Sequence, residues 1–141
     1  MGTSTDAILA YGFDLGEDLS EHGDLARIDE EFDGDEDAFF EAELGIPAYG
    51  EPGRPSYDEI EKLKATLPVT LIRHCSGDYP MYFLALPGTK REASRGAPEA
   101  IEINSLRVST DAVTALMKWC EDHGIEVPEE GPHWHIFSYW C

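Results

Sequence analysis

The chain has 141 residues and a formal net charge of −19, from 29 acidic and 10 basic side chains. A field of that sign repels nucleic acid and anionic membranes, and it attracts cations or a basic protein surface. With 42% hydrophobic and 11% aromatic residues, the chain is too apolar to be disordered overall and long enough to build one packed domain over 1–141. No apolar run approaches the roughly 20 residues of a membrane span. The start Gly2-Thr3-Ser4-Thr5 lacks the basic and apolar pattern of a signal peptide, so a cytoplasmic protein is expected. Cys75, Cys120 and Cys141 are an odd number without a CxxC spacing, which suits reduced thiols.

The charge is lopsided. Residues 1–50 hold fifteen acids against Arg27, and the remaining 91 residues hold fourteen acids and nine bases. Within the acidic block, Ala7-Ile8-Leu9-Ala10-Tyr11-Gly12-Phe13 is an apolar run of strand length and predicts an inner strand. Residues 16–34 carry only a thin apolar pattern (Leu19, Leu25, Ile28, Phe32) and predict a loop or a loosely docked helix. Asp35 to Leu44 predicts a helix with Phe39, Phe40 and Leu44 along one side, stopped by Gly45 before Pro47.

Pro47, Gly50, Pro52, Gly53 and Pro55 mark a connector. Ser56, with Glu59 three residues on, caps a helix whose Ile60, Leu63 and Leu67 face inward. Val69 to Cys75 and Met81 to Leu86 form a hairpin around Ser76-Gly77-Asp78-Tyr79-Pro80. Residues 88–98 are a polar loop carrying the basic cluster Lys90, Arg91 and Arg95. Ala100 to Leu106 alternates like a half-buried strand. Ser109 caps a helix with Val113, Leu116, Met117 and Cys120 on one face, ended by Gly124. The last residues, Trp134 to Trp140, are strand formers. The order β-α-α-β-β-β-α-β predicts an α+β domain: a mostly antiparallel sheet of about five strands, with two to three helices on one face.

Three stretches carry a resemblance: Ser4-Thr5-Asp6-Ala7-Ile8-Leu9-Ala10-Tyr11-Gly12-Phe13, then His74-Cys75-Ser76-Gly77-Asp78-Tyr79-Pro80-Met81-Tyr82, and Ala93-Ser94-Arg95-Gly96 with the ending Trp134-His135-Ile136-Phe137-Ser138-Tyr139-Trp140. Together they resemble a group of small bacterial and bacteriophage proteins that carries no activity to transfer. What the resemblance implies is a context: a small accessory gene, phage-borne, whose product would work in the host cell cytoplasm. The acidic segment at 16–50 falls outside the similarity.

Asp29, Glu30, Glu31, Asp33, Asp35, Glu36 and Asp37 lie within nine residues. Carboxylates held on one folded face would imitate a phosphate backbone, so a protein that grips nucleic acid with Lys and Arg would be drawn to them. Phe32, Phe39 and Phe40 would supply aromatic anchors for that partner. The expected role is therefore a non-enzymatic inhibitor of a basic, nucleic-acid-binding host protein, such as an anti-phage nuclease, a CRISPR effector or the transcription apparatus. It would act as a nucleic-acid mimic, as a monomer or a homodimer, without contacting nucleic acid or membrane itself.

Other readings compete. Asp29, Glu31, Asp33 and Asp35 with Gly34 match the start of an EF-hand loop, but Phe40 occupies the twelfth position, where a bidentate acid is required. His133 and His135 project on one side of a strand at a spacing used for transition metals, and His74 and Cys75 would complete a set of four. Cys75 as nucleophile, a histidine as base and Asp78 as orienter would make a small cysteine-based or metal-dependent enzyme of the same residues. No Walker loop, GxGxxG, GxSxG or HExxH is present, so no cofactor is expected. The basic cluster reads as an exposed loop. Trp134, Tyr139 and Trp140 suit either a dimer contact or core packing.

Overall fold

A computed structural model describes residues 4–140; Cys141 and the Gly2-Thr3 start lie outside the described residues. The architecture is α+β, a five-stranded, mostly antiparallel sheet with four α-helices. In chain order the elements are β1 (Thr5–Gly16), α1 (Arg27–Phe32), α2 (Glu36–Glu43), α3 (Tyr57–Lys64), β2 (Thr70–Ser76), β3 (Pro80–Ala85), β4 (Arg91–Ser94), α4 (Thr110–Asp122) and β5 (His133–Trp140).

β1 organises the molecule. Along Thr5–Gly12 it pairs antiparallel with β5, and its opposite edge pairs with β4 (Asp6–Leu9) and then β3 (Gly12–Gly16). β2 pairs antiparallel with β3, while its last residues, Cys75 and Ser76, run parallel to Tyr139 and Trp140 of β5. The pairings β1–β3–β2–β5–β1 thus close a ring, and the sheet is rolled on itself. Closure satisfies backbone groups that an open sheet would leave along its edges.

The period-2 alternation of β1 sorts two cores. Ile8 and Ala10 point into the ring, where Ile72, Phe83 and Ala85 meet Phe137 and Tyr139. Phe83 and Phe137 pack with ring centroids 4.6 Å apart, and His74 lies 4.7 Å from Phe137. Phe13 and Leu15 point the other way, with Leu84 and Leu86 of the β3 edge, into a larger core. There they meet Leu19, Leu25, Ile28, Phe39 and Phe40 from the acidic segment and Leu116, Trp119 and Cys120 from α4. Ile8 and Ala10 are buried on the ring side while Leu9 and Tyr11 are half-covered on the other, so residues 7–13 read as a continuous apolar run although burial alternates along them. At Gly12 a Cβ would sit 1.9 Å from the Leu84 carbonyl oxygen, so only glycine lets β1 approach β3 at the closure point.

Three expectations are corrected by the structure. Residues 100–106 are not a strand: Ile103–Leu106 forms a 3-10 turn, and Ile101 and Ile103 are exposed. The strand after β3 is instead Arg91–Ser94, placed in the expected polar loop. The chain leaves β3 already beside β1, so the next few residues continue along the same edge and fill the pairing slot before residue 100 is reached. Leu63, expected inward, lies mostly at the surface of α3, where Ile60 is the buried residue.

Candidate partner-binding surface

Residues 16–34 are neither a loop nor loosely held. Two 3-10 turns, Leu19–Glu21 and Gly23–Ala26, lead into α1 and bury Leu19 and Leu25. Gly23 lies flat on the backbone at the end of α4, where a Cβ would come 2.3 Å from the His123 carbonyl oxygen. The Asp24 N–H donates to that same oxygen at 2.8 Å. α1 turns directly into α2: Asp33 and Gly34 adopt left-handed φ values of 52° and 81°, and the Asp35 carboxylate caps α2 by accepting from the Ala38 N–H at 3.1 Å.

One side of this helical hairpin is core. Ile28, Phe39 and Phe40 are buried, and Phe40 stacks on Trp119 of α4. Phe39 and Phe40 are therefore not available as anchors for a partner; they fix the hairpin to the sheet. Phe32 is half-buried with its edge toward Phe39. The other side exposes Asp29, Glu30, Glu31, Asp33, Asp35 and Asp37 on a fixed scaffold. Glu36 is half-buried. Burial pushes its carboxyl up, an effect that the Arg73 guanidinium at 3.2 Å only partly opposes.

The fold also moderates the field. Arg54 pairs with Glu41 at 2.6 Å, Lys64 with Asp37 at 3.0 Å and Arg73 with Glu36, so bases from beyond residue 50 return to the acidic block. Arg27 holds Glu31 at 2.6 Å and Glu43 at 3.3 Å. Among the described residues, Asp29, Glu30, Asp33 and Asp35 have no cationic partner, and they carry the unopposed charge.

Exposed aromatics are present beside the hairpin, but they are Tyr49 and Tyr57. They border a cleft of about 570 Å³ whose lining includes Asp37, Glu41 and Glu61. Tyr49 is 93% and Tyr57 75% exposed, and Arg54 lies over the Tyr49 ring. The available signal was Tyr49 within the Pro- and Gly-rich connector and Tyr57 at the first position of α3 just after it, because such a segment has little core to offer a ring.

The remaining candidates are dispersed. Asp29 and Glu31 lie within helix α1, so a twelve-residue calcium loop does not form, and Phe40 at its last position is in the core. His74 lies inside the ring with Nε2 3.4 Å from Asp14 Oδ1. His135 turns Nδ1 to the His133 carbonyl oxygen at 2.9 Å and its ring edge to Phe83. His133 is exposed, Cys75 faces away from His74 with φ at 71°, and Asp78 sits exposed at the hairpin tip. Among the described residues, no group of three or more His, Cys, Asp or Glu is placed to hold a metal ion. Of the basic cluster, Lys90 pairs with Glu92 at 2.8 Å, and Arg91 lies in β4. Among the described residues no helix is long and apolar enough to cross a membrane.

Comparison with protein-family models, with curated proteins and with solved structures finds no match to this chain.

Proposed function

We propose that this protein is a non-enzymatic binding protein that presents the α1–α2 hairpin to a cationic protein surface. The observation that carries the reading is the rigid display of unpaired carboxylates. Asp29, Glu30, Asp33 and Asp35 stand on a hairpin whose opposite side is sealed into the core by Ile28, Phe39 and Phe40. Charges held in place lose little freedom on binding, so their attraction is not spent on ordering a loop. The adjoining cleft adds Tyr49 and Tyr57, rings suited to a Lys or Arg side chain of the partner. A nucleic-acid-binding groove has this complementary chemistry, and occupying it would inhibit the partner as a nucleic-acid mimic does. On the resemblance alone, the reading extends to a phage-borne inhibitor of a host nuclease, CRISPR effector or transcription enzyme.

The test is capture of partners on immobilised protein across a salt series. The expected result is recovery of a basic nucleic-acid-binding protein whose retention falls steeply with salt and is competed by duplex DNA. Substituting Asp29→Asn, Glu30→Gln, Asp33→Asn and Asp35→Asn together, with the Asn at 35 preserving the cap, should weaken binding by at least about tenfold. Unchanged affinity in that variant would end the idea.

A further inference from the structure

The chain has a second charged feature, of opposite sign. Of its ten basic residues, Arg27, Arg54, Lys64, Arg73, Lys90 and Lys118 are in ion pairs with acids. Among the described residues, Lys62, Arg91, Arg95 and Arg107 have no carboxylate partner. Arg91 and Arg107 both line one cleft of about 370 Å³, between the start of α4 and the chain that follows β3. No lining residue of that cleft is acidic, although 29 of the 141 residues are acids. The clefts beside α2 and α3 differ: Asp37 and Glu41 line both.

The construction of the cleft explains what it could hold. Its floor is apolar, made by Leu67, Leu86, Val108 and Ala112, all part of the main core or packed against it. Its rim is polar. Arg91 donates from Nη1 to the Gly88 and Lys90 carbonyl oxygens at 3.0 and 3.2 Å, and from Nη2 to the Ser105 carbonyl oxygen at 3.4 Å. Three carbonyls orient the guanidinium but do not neutralise it, and its Nε–H is not used in these bonds. The Arg107 side chain makes no hydrogen bond or ion pair among the described residues. Asp111, in the first turn of α4, is not among the lining residues.

We infer that this cleft binds a small anion with an apolar body, its carboxylate or phosphate head held by Arg91 and Arg107 and its chain or ring on the Leu67–Leu86–Val108–Ala112 floor. The volume is in the range of small-molecule sites, which combine an apolar lining with a few converging polar groups. Guanidinium groups suit such heads because their forked donors match two oxygens at once. The repulsion that a chain at −19 exerts on an anion is reduced where the lining carries two guanidinium groups and no acid. This site is separate from the acidic hairpin, and it stands whether or not the hairpin binds a protein.

The experiment is an amide NMR titration of the whole chain with octanoate, beside acetate, inorganic phosphate and octanol. Octanoate should give saturable shifts at Val108, Ala112 and Ala115, with half-saturation at roughly a millimolar, as suits so few atoms. Acetate and phosphate lack the apolar body and octanol lacks the charge, so each should bind at least about tenfold more weakly. Arg107→Gln, at an exposed side chain with no partner to lose, should keep the native spectrum and reduce octanoate affinity about tenfold. The inference is overturned if octanoate gives no saturable shift at tens of millimolar, if octanol binds as well as octanoate, or if Arg107→Gln changes nothing.

Discussion

His123 fastens the acidic hairpin to α4, and its protonation should be visible in the stability of the whole protein. The ring lies flat on Trp119, 3.9 Å between centroids, at the C-terminal end of α4. Its Nδ1 is 2.7 Å from the Trp119 carbonyl oxygen and its Nε2 is 2.8 Å from Glu43 Oε2. Both neighbours are acceptors, and a neutral imidazole has one N–H to donate, so this geometry is satisfied by the imidazolium. Burial pulls the ring toward neutrality. The hydrogen bonds that the ring donates to Glu43 and to the Trp119 carbonyl, with the charges of Glu43 and Asp24, together outweigh it, and the pKa is raised above 6.5. Arg27 reaches the other oxygen of Glu43 and competes for the same carboxylate.

A raised folded-state pKa fixes the sign. The contribution is fully present below the unfolded value near 6.5 and is lost as pH climbs through the higher folded value. Both partners are well covered, with side-chain exposures of 15% and 22%. A charge-assisted bond so placed, at a helix C-terminus, contributes about 2 kcal/mol. For a chain of this length that corresponds to roughly 6 °C in Tm. His123→Gln retains a donor for one acceptor only. Its Tm deficit should be largest near pH 6 and shrink toward pH 9, in melts followed by circular dichroism. A ring that titrates at or below 6.5 by NMR, or a deficit that is the same at both pH values, would refute the reasoning.

Gly12→Ala should destabilise by about 3 kcal/mol or more in urea unfolding, because its Cβ meets the Leu84 backbone and not a movable side chain. Phe39→Ala should cost about 3–5 kcal/mol, as for a fully buried ring. Glu30→Gln should stay within about 0.5 kcal/mol; a comparable loss at both positions would mean that the hairpin is not anchored as described. Burial pushes the Cys120 thiol up to about 11, so it should resist alkylation at pH 8 until the protein unfolds. Cys75, half-buried at the end of β2, should be modified before Cys120, as read by peptide mass.

Local signals in the sequence were sufficient for the capped helices and the central strands. Ser56 and Ser109 cap α3 and α4 by accepting from the N–H three residues on, as their spacing implied, and the Ser76–Pro80 turn joins β2 to β3. These features depend on residues a few positions apart, so composition and periodicity record them. The ring closure, β4 in place of a strand at 100–106, and the burial of Phe39 and Phe40 depend on which surfaces meet. A phenylalanine among acids reads the same whether it faces a partner or a core. Charge was legible as a total and as a block, but not as a field. Only folding brought Arg54, Lys64, Arg73 and His123 onto the acidic segment, left Asp29, Glu30, Asp33 and Asp35 unpaired, and gathered Arg91 and Arg107 around a cleft without acids. Net charge is a sum over residues, whereas potential falls with distance, and distances between remote residues are set by the tertiary fold.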